Sequence, residues 1–385
     1  MLFALDAHAI GRQLTGNEVY ARNLLEHLAA IDPDSRFLAY VSVADARKAV
    51  PSRCRARPVS GNPFWRLGME LSWKLRQDRP DLVHVQYTAP LACPVPVVVS
   101  VHDVSFLEHP EYFPRHRAAQ LRWTVRRTVQ SAARILTGSD FSRASILRAY
   151  PDLHPDKVVA VPNAAATGFR PVSREAATAH VRRRFGLAAP FVLTVGDLQP
   201  RKNHIGLIAA FARLVAALPQ LPHDLVLTGK ETWFAGRVRE AARASGVGDR
   251  IRFTGFVHDE ELLELYNACD LFVFPSYYEG FGLPVLEAMA CARAVACSNT
   301  SAMPEVVDGA ALLFNPHSPD EIARAMADLL RDAELRARME RLGAQRSAAF
   351  HWRNTAARTL EIYHEVAGLS AAAHRQLSSA SLGPS

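Results

Sequence analysis

The sequence predicts an α/β protein built from two tandem, doubly wound, mostly parallel domains. Three observations support this. Short apolar runs alternate with helix-like stretches through the first half, the alternation starts again near residue 190, and 385 residues suit about two domains with separate cores. In order, MLFALDA, RFLAYVSV, DLVHVQY, PVVVSVHD, RILTGSD and KVVAVPNA read as the strands of the first half. A helix from Val19 places Leu24, Leu25 and Leu28 on one face. Arg170 to Pro190 reads as a linker followed by a helix, VRRRFGL. FVLTVGDL, DLVLTGK, IRFTGF, LFVFPS and AVACSNT are the strands of the second half. Helices are expected from His204 to about Ala217 and from Pro319 to Leu330, the latter after an Asn315-Pro316 turn. The domains are expected at 1–170 and 171–350, and the small, polar residues 370–385 are expected to lack structure.

Composition excludes several classes. No apolar run approaches the roughly 20 residues that span a bilayer. The N-terminus shows no basic leader with a cleavage site, so a cytoplasmic protein is expected. Cys54, Cys93, Cys269, Cys291 and Cys297 are scattered without a CxxC pair, which predicts neither a zinc site nor a disulfide framework. The net charge of +7 lies wholly in residues 1–170, which hold 22 Lys+Arg against 15 Asp+Glu. Arg115, Arg117, Arg122, Arg126, Arg127 and Arg134 contribute much of it, with Leu121, Trp123 and Val125 interleaved. Two readings stand side by side: a face that meets anionic lipid or an acidic acceptor, and an ordinary solvated helix face. Without a recognised motif or stacked aromatics, nucleic acid is not an expected partner.

The most informative stretch is SYYEGFGLPVLEAMA, from Ser276. It reads as a strand end, a glycine turn and a helix start, with Pro284 expected at the first helical position. Free amides of such a turn form an anion site suited to a diphosphate. Glu279 and Glu287 flank it, one in the turn and one expected in the first helical turn. A carboxylate beside an anion pocket suits sugar hydroxyls rather than phosphate, so the ligand expected is a nucleotide sugar. Phe281, Gly282 and Leu283 belong to the same turn.

This pattern, a strand followed by Glu-x7-Glu in the context EGFGLPVLEAMA, resembles the signature of retaining glycosyltransferases of family 4, the group 1 glycosyltransferases. The resemblance runs from Asp6 to about Val366 and implies the GT-B fold, two Rossmann-like domains with an interdomain cleft. It also implies that a final helix, about 351–366, packs back on the first domain. It further implies that Glu279 contacts the donor sugar and Glu287 the ribose hydroxyls. Lys202 of GDLQPRKN matches the family's phosphate-binding lysine. Arg201 beside it supplies a second cation toward the leaving diphosphate, in the role a metal ion plays elsewhere. Many members have an Arg after the strand glycine, where this chain has Asp197. His102 of VHDVSF matches a family histidine near the donor sugar. Asp103 is either a base for the acceptor hydroxyl or a loop residue. Gly16 and Asn17, expected just before the first helix, match the family's glycine loop, with Arg12 a weaker candidate. Phe256 and Val257, after a strand, are candidates to bracket the base, and Glu305 is a weaker candidate for a supporting group. Asp32-Pro33-Asp34 has the form of a metal motif but reads as a turn.

The implied activity is a retaining, metal-independent transfer of a hexose to a glycan or lipid-linked acceptor, in glycan or polysaccharide biosynthesis. The expected donor is GDP-mannose, from the VGxLxPRKN and HDxSFLEHPEYFP phrases, with UDP-sugars next. No cofactor is expected. The rival readings are a nucleotide-sugar epimerase of the same fold and a non-catalytic sugar-binding subunit.

Overall fold

The computed structural model describes residues 1–12, 15–43, 46 and 50–380. It separates into two compact units, residues 1–163 with 351–385, and residues 164–350.

The first unit holds a seven-stranded sheet in the order β3-β2-β1-β4-β5-β6-β7. Its strands are β1 (Leu2–Asp6), β2 (Arg36–Val41), β3 (Cys54–Pro58), β4 (Leu82–Gln86), β5 (Val97–Ser100), β6 (Arg134–Thr137) and β7 (Val158–Ala160). Every pairing is parallel. Runs such as LVHVQ and VVVS are buried along their whole length, as expected for a sheet covered on both faces. β3 was not expected from the sequence. Order changes direction between β1 and β4, so the loops leaving those strands diverge and open a crevice there.

The second unit holds a six-stranded sheet in the order β10-β9-β8-β11-β12-β13. Its strands are β8 (Phe191–Val195), β9 (Asp224–Thr228), β10 (Ile251–Gly255), β11 (Leu271–Phe274), β12 (Val295–Ser298) and β13 (Leu312–Phe314), again all parallel. Here the switch falls between β8 and β11. Val192, Leu225, Leu207, Phe211, Ile322 and Met326 form part of its core.

Of the helices, α1 (Thr15–Ile31), α2 (Arg115–Ser131) and α6 (Trp352–Ala380) lie in the first unit, and α3 (His204–Ala217), α4 (Asp259–Ala268) and α5 (Leu283–Ala290) in the second. α6 follows the second unit in sequence but belongs to the first. Trp352, Ile362 and Tyr363 are buried there, and Thr355 Oγ1 donates to Pro162 O at 2.6 Å. The helix runs through Ala380, past Val366 and into the stretch expected to lack structure; residues 381–385 lie outside the described residues. Asp32 makes the expected turn, its Oδ1 accepting from Ser35 N at 3.1 Å. No helix among the described residues is long and apolar enough to cross a membrane.

Candidate active site

In the second unit, the loops leaving β8 and β11 stand side by side because those strands are neighbours. The first holds Gly196 to Asn203. Asn203 adopts φ 54° and caps α3, its Oδ1 accepting from Gly206 N. Its Nδ2 donates to Pro275 O and Pro316 O at 3.2 and 2.7 Å, fastening this loop to the end of β11. Tyr277 N donates to Arg201 O at 2.9 Å, a second stitch.

This fastening brings Arg201, Lys202 and Glu279 together. Glu279 accepts from Arg201 Nη1 at 2.8 Å and from Lys202 Nζ at 2.6 Å. The three side chains are 16, 11 and 8 % exposed, so the ions attract through a medium far less polarisable than water. Lys202 Nζ also lies 4.6 Å from the centre of the Phe274 ring. Its stem passes over Gly196, where an added Cβ would sit 3.0 Å from Lys202 Cδ. Burial lowers the Lys202 pKa, with Glu279 only partly opposing. Burial acts to raise Glu279, but Arg201 and Lys202 outweigh it and hold the carboxyl below its ordinary value. At this strand-end crevice two cations share one carboxylate, and the charge of Asp197 also reaches Lys202.

The glycine turn lies beside this cluster. Gly282 caps α5 at φ 93°, a conformation that favours glycine, and an added Cβ would meet Met303 Cε at 2.3 Å. No side chain caps this helix; Pro284 has no N–H, and Val285 N donates to Gly282 O at 3.0 Å. Pro284 is the second helical residue rather than the first, and Glu287 lies in the second turn rather than the first. The helix begins at Leu283, one residue earlier than Pro284 alone suggests, because Gly282 makes the left-handed turn. Glu287 is 5 % exposed and accepts from Tyr266 Oη of α4 at 2.9 Å. Phe281 is buried with its ring edge-on to Phe350, so its side chain packs. Leu283 is half-buried. Asp197, the departure from the family pattern, accepts from Lys230 N and braces the end of β9.

The first unit has its own polar constellation at the β1/β4 switch. His102 follows β5, and its Nε2 lies 3.0 Å from Gln86 Oε1. Gln86 Nε2 donates to Asn17 O at 3.1 Å. A carbonyl only accepts, so the Gln86 amide is oriented, and His102 must donate from Nε2. Burial pushes the His102 pKa down to about 4 against the charge of Asp103, so the ring is neutral near pH 7. The Tyr20 ring meets it edge-on at 4.8 Å. Asp103 Oδ1 accepts from Ser105 N and Oγ, a local turn. Gly16 and Asn17 are inside the first turn of α1, not before it. Glu18 accepts from Gly11 N at 2.8 Å and helps start that helix four residues upstream of Val19. Arg12 is exposed and donates to Gly61 O. Glu305 is exposed, Val257 is buried and the Phe256 ring lies beneath Lys230.

Sequence reasoning missed Tyr266, Gln86 and Ser301, whose Oγ accepts from Glu279 N at 3.0 Å. Gln86 ends a strand and was open to the strand-end rule; Tyr266 and Ser301 had no local signal. Among the described residues no group of three or more His, Cys, Asp or Glu is placed to hold a metal.

Family models and a sequence relative agree on the family. Residues 14–168 match the model of Glycosyltransferase Family 4, and residues 179–346 that of Glycosyl transferases group 1. The O-antigen chain mannosyltransferase B of Escherichia coli is 34% identical over 267 residues, 69% of either chain. Among solved structures, the sucrose-phosphate synthase of Thermosynechococcus elongatus superposes with a TM-score of 0.77 at 22% identity, covering 95% of this chain and 99% of that one. Anabaena HepE in complex with UDP-glucose superposes with a TM-score of 0.75 at 19% identity, covering 94% and 99%. The chain belongs to glycosyltransferase family 4, the group 1 glycosyltransferases of GT-B fold, and is a glycosyltransferase.

Proposed function

We propose that this enzyme is a retaining hexosyltransferase that moves mannose from GDP-mannose to a hydroxyl of a glycan acceptor, without a metal ion. The observation behind this reading is the Arg201–Lys202–Glu279 cluster at the β8/β11 crevice. Two cations and the uncapped start of α5 suit a diphosphate that gains charge as it leaves. Glu279, already ionised and held by both cations, suits the donor sugar hydroxyls, and Glu287 the ribose. His102 is proposed to hydrogen-bond a sugar hydroxyl as a neutral imidazole.

In the chemistry proposed, the bond from C1 of the sugar to the phosphate oxygen breaks as the acceptor oxygen bonds C1 on the same face. The acceptor's proton goes to the departing diphosphate. The protein supplies position and charge complementarity rather than a covalent nucleophile. The choice of mannose draws on the 34% identical E. coli mannosyltransferase; UDP-sugars are the second choice, and HepE is a GT-B neighbour in complex with one. An acceptor carried on a lipid would bring the enzyme to the cytoplasmic membrane surface, where the five arginines of α2 suit anionic headgroups.

The test is to incubate GDP-mannose and UDP-glucose separately with candidate acceptors in EDTA and to assign the anomeric configuration of the product by NMR. An α-linked product from the α-donor, formed at full rate in EDTA, is expected. An inverted product or a strict need for Mn²⁺ sinks the reading. An isomerised nucleotide sugar with no acceptor product makes the enzyme an epimerase.

A further inference from the structure

We propose that the helical run 63–78 and the loop 89–96 form an apolar docking face that inserts into the interface of an anionic membrane. This deepens the membrane contact proposed above, and it places the inserting groups where no sequence signal had pointed.

The run consists of Pro63–Trp65, a π-turn Arg66–Glu70 and Leu71–Asp78. Its inner side is firmly held. Arg66 is buried and pairs with Asp6 at the end of β1 at 3.6 Å, and Leu71 and Leu75 enter the core. Its outer side carries Phe64, Trp65, Met69 and Trp73, each between 54 and 77 % exposed. Trp65, Met69 and Trp73 recur every four residues and so share one face. Large apolar side chains on an outward face leave apolar area in water that folding has not removed, which marks a surface for a partner.

The face continues beyond the helix. Leu91, also exposed, donates its N–H to Leu67 O at 2.9 Å. The loop around it, APLACPVP, has no charged residue. Arg127 of α2 donates to the carbonyls of Ala89, Pro90 and Leu91, so the loop is fixed before any partner arrives. The same guanidinium lies 6.0 Å from the ring of Trp123, another exposed aromatic. Three of the chain's five tryptophans therefore adjoin this face.

Charge selects lipid over a second protein. α2 contains Arg115, Arg117, Arg122, Arg126 and Arg127 and no acidic residue. The carboxylates of the run are engaged: Glu70 with Lys74 and Ser60 N, and Asp78 with Arg57 and Tyr40. Exposed Trp, Phe, Leu and Met beside a cluster of arginines match the needs of a bilayer interface. Aromatic rings occupy the headgroup boundary, and cations meet phosphate.

Tryptophan quenching by brominated lipid tests the inference. The full chain is mixed with brominated phosphatidylcholine vesicles, with and without phosphatidylglycerol, at low and high salt. Anionic vesicles should quench the emission and pellet the protein. Trp65→Ala/Trp73→Ala should lose most of the quenching and bind at least about tenfold more weakly. Arg122→Glu/Arg126→Glu should weaken binding by about fivefold or more for each positive charge removed, and salt should do the same to the wild type. Nucleotide release from the donor in the absence of acceptor should be unchanged in both variants. Loss of that release with vesicle binding intact counts against the transferase reading, not this one. Absence of quenching at low salt overturns the inference. So does quenching left undiminished in the tryptophan variant, and so does a wild-type dimer in analytical ultracentrifugation that the same variant dissociates, which makes a second copy the occupant.

Discussion

Glu287 illustrates how much a single buried carboxylate does in this site. Its Oε2 is the acceptor for Tyr266 Oη, so the carboxylate is held in place before any nucleotide arrives. Glu287→Ala removes the proposed ribose acceptor and strands a buried hydroxyl. Nucleoside diphosphate binding should weaken by about 1.5–3 kcal/mol, and folding stability should fall by about 1–3 kcal/mol. Tyr266→Phe separates the effects, because it frees the carboxylate without removing it; affinity should fall less than in Glu287→Ala. Calorimetry with equal losses in the two variants contradicts the ribose assignment. Histidines set a second expectation at this scale. Burial pushes His84 and His204 down to about 3 and His102 down to about 4. The native state refuses protons that the unfolded chain accepts from about pH 6.5 downward. Stability is therefore fully present above that pH and falls as pH drops toward the folded values, by up to about 1.4 kcal/mol per unit for each group. Carboxylates with lowered pKa values, Asp6, Asp32, Glu261, Asp270 and Glu279, act only below their ordinary range, so the histidines dominate between pH 6.5 and 5. Urea midpoints that do not move across that window contradict this account.

At the scale of elements, the turn before α5 depends on one glycine for two reasons, backbone and space. Gly282→Ala asks an L-residue to hold φ 93° and drives its Cβ into Met303. A loss of about 1–2 kcal/mol from the backbone alone is expected, more with the displaced methionine, together with weaker diphosphate binding. An unchanged urea midpoint would show that the turn tolerates another conformation. Strand–turn–helix logic was legible at this element because glycine, proline and the apolar run agree. The two strands not anticipated, β3 and β13, are both sheet edges. CRARP has two arginines and a proline, which an edge accepts and a central strand does not, and LLF is only three residues long. The run 63–78 was hidden for another reason. Phe64 apart, its large apolar residues fall at 65, 67, 69, 71, 73 and 75, an alternation that mimics a strand. That alternation arises because both faces of the helix are apolar, one for the core and one exposed. Arg201, Lys202 and Glu279 were each legible as strand-end residues, but their mutual pairing was not. It depends on β8 and β11 being neighbours, a crossover that no local pattern specifies.

For the whole molecule, chain order and spatial order disagree, and this yields a sharp expectation. Residues 164–350 form one unit, while the first unit needs both ends of the chain. α6 supplies Trp352, Ala356, Ile362, Tyr363 and Val366 to the interior of the first unit. The Phe3 and Tyr363 rings lie 5.2 Å apart, and the Tyr363 hydroxyl meets Nδ1 of His84. Burying such side chains stabilises by about 1.5–3 kcal/mol for each large one, so the joint loss of the four large ones, about 6–12 kcal/mol, is comparable to a typical domain's whole margin of about 5–15 kcal/mol. A fragment ending at Asn163 should therefore fail to fold cooperatively, and a second fragment carrying α6 should restore it. The fragment 164–350 lacks none of its core and holds Arg201, Lys202, Glu279, Tyr266, Glu287 and Gly282 together. It should unfold in a single cooperative transition and bind the free nucleoside diphosphate with nearly the affinity of the whole chain, while releasing no nucleotide from the donor at a measurable rate. Calorimetry on the two fragments and the intact enzyme decides the matter. Cooperative folding of 1–163 alone would show that α6 is dispensable to its core. Loss of nucleotide binding by a well-folded 164–350 would show that the β8/β11 crevice is not sufficient for the diphosphate.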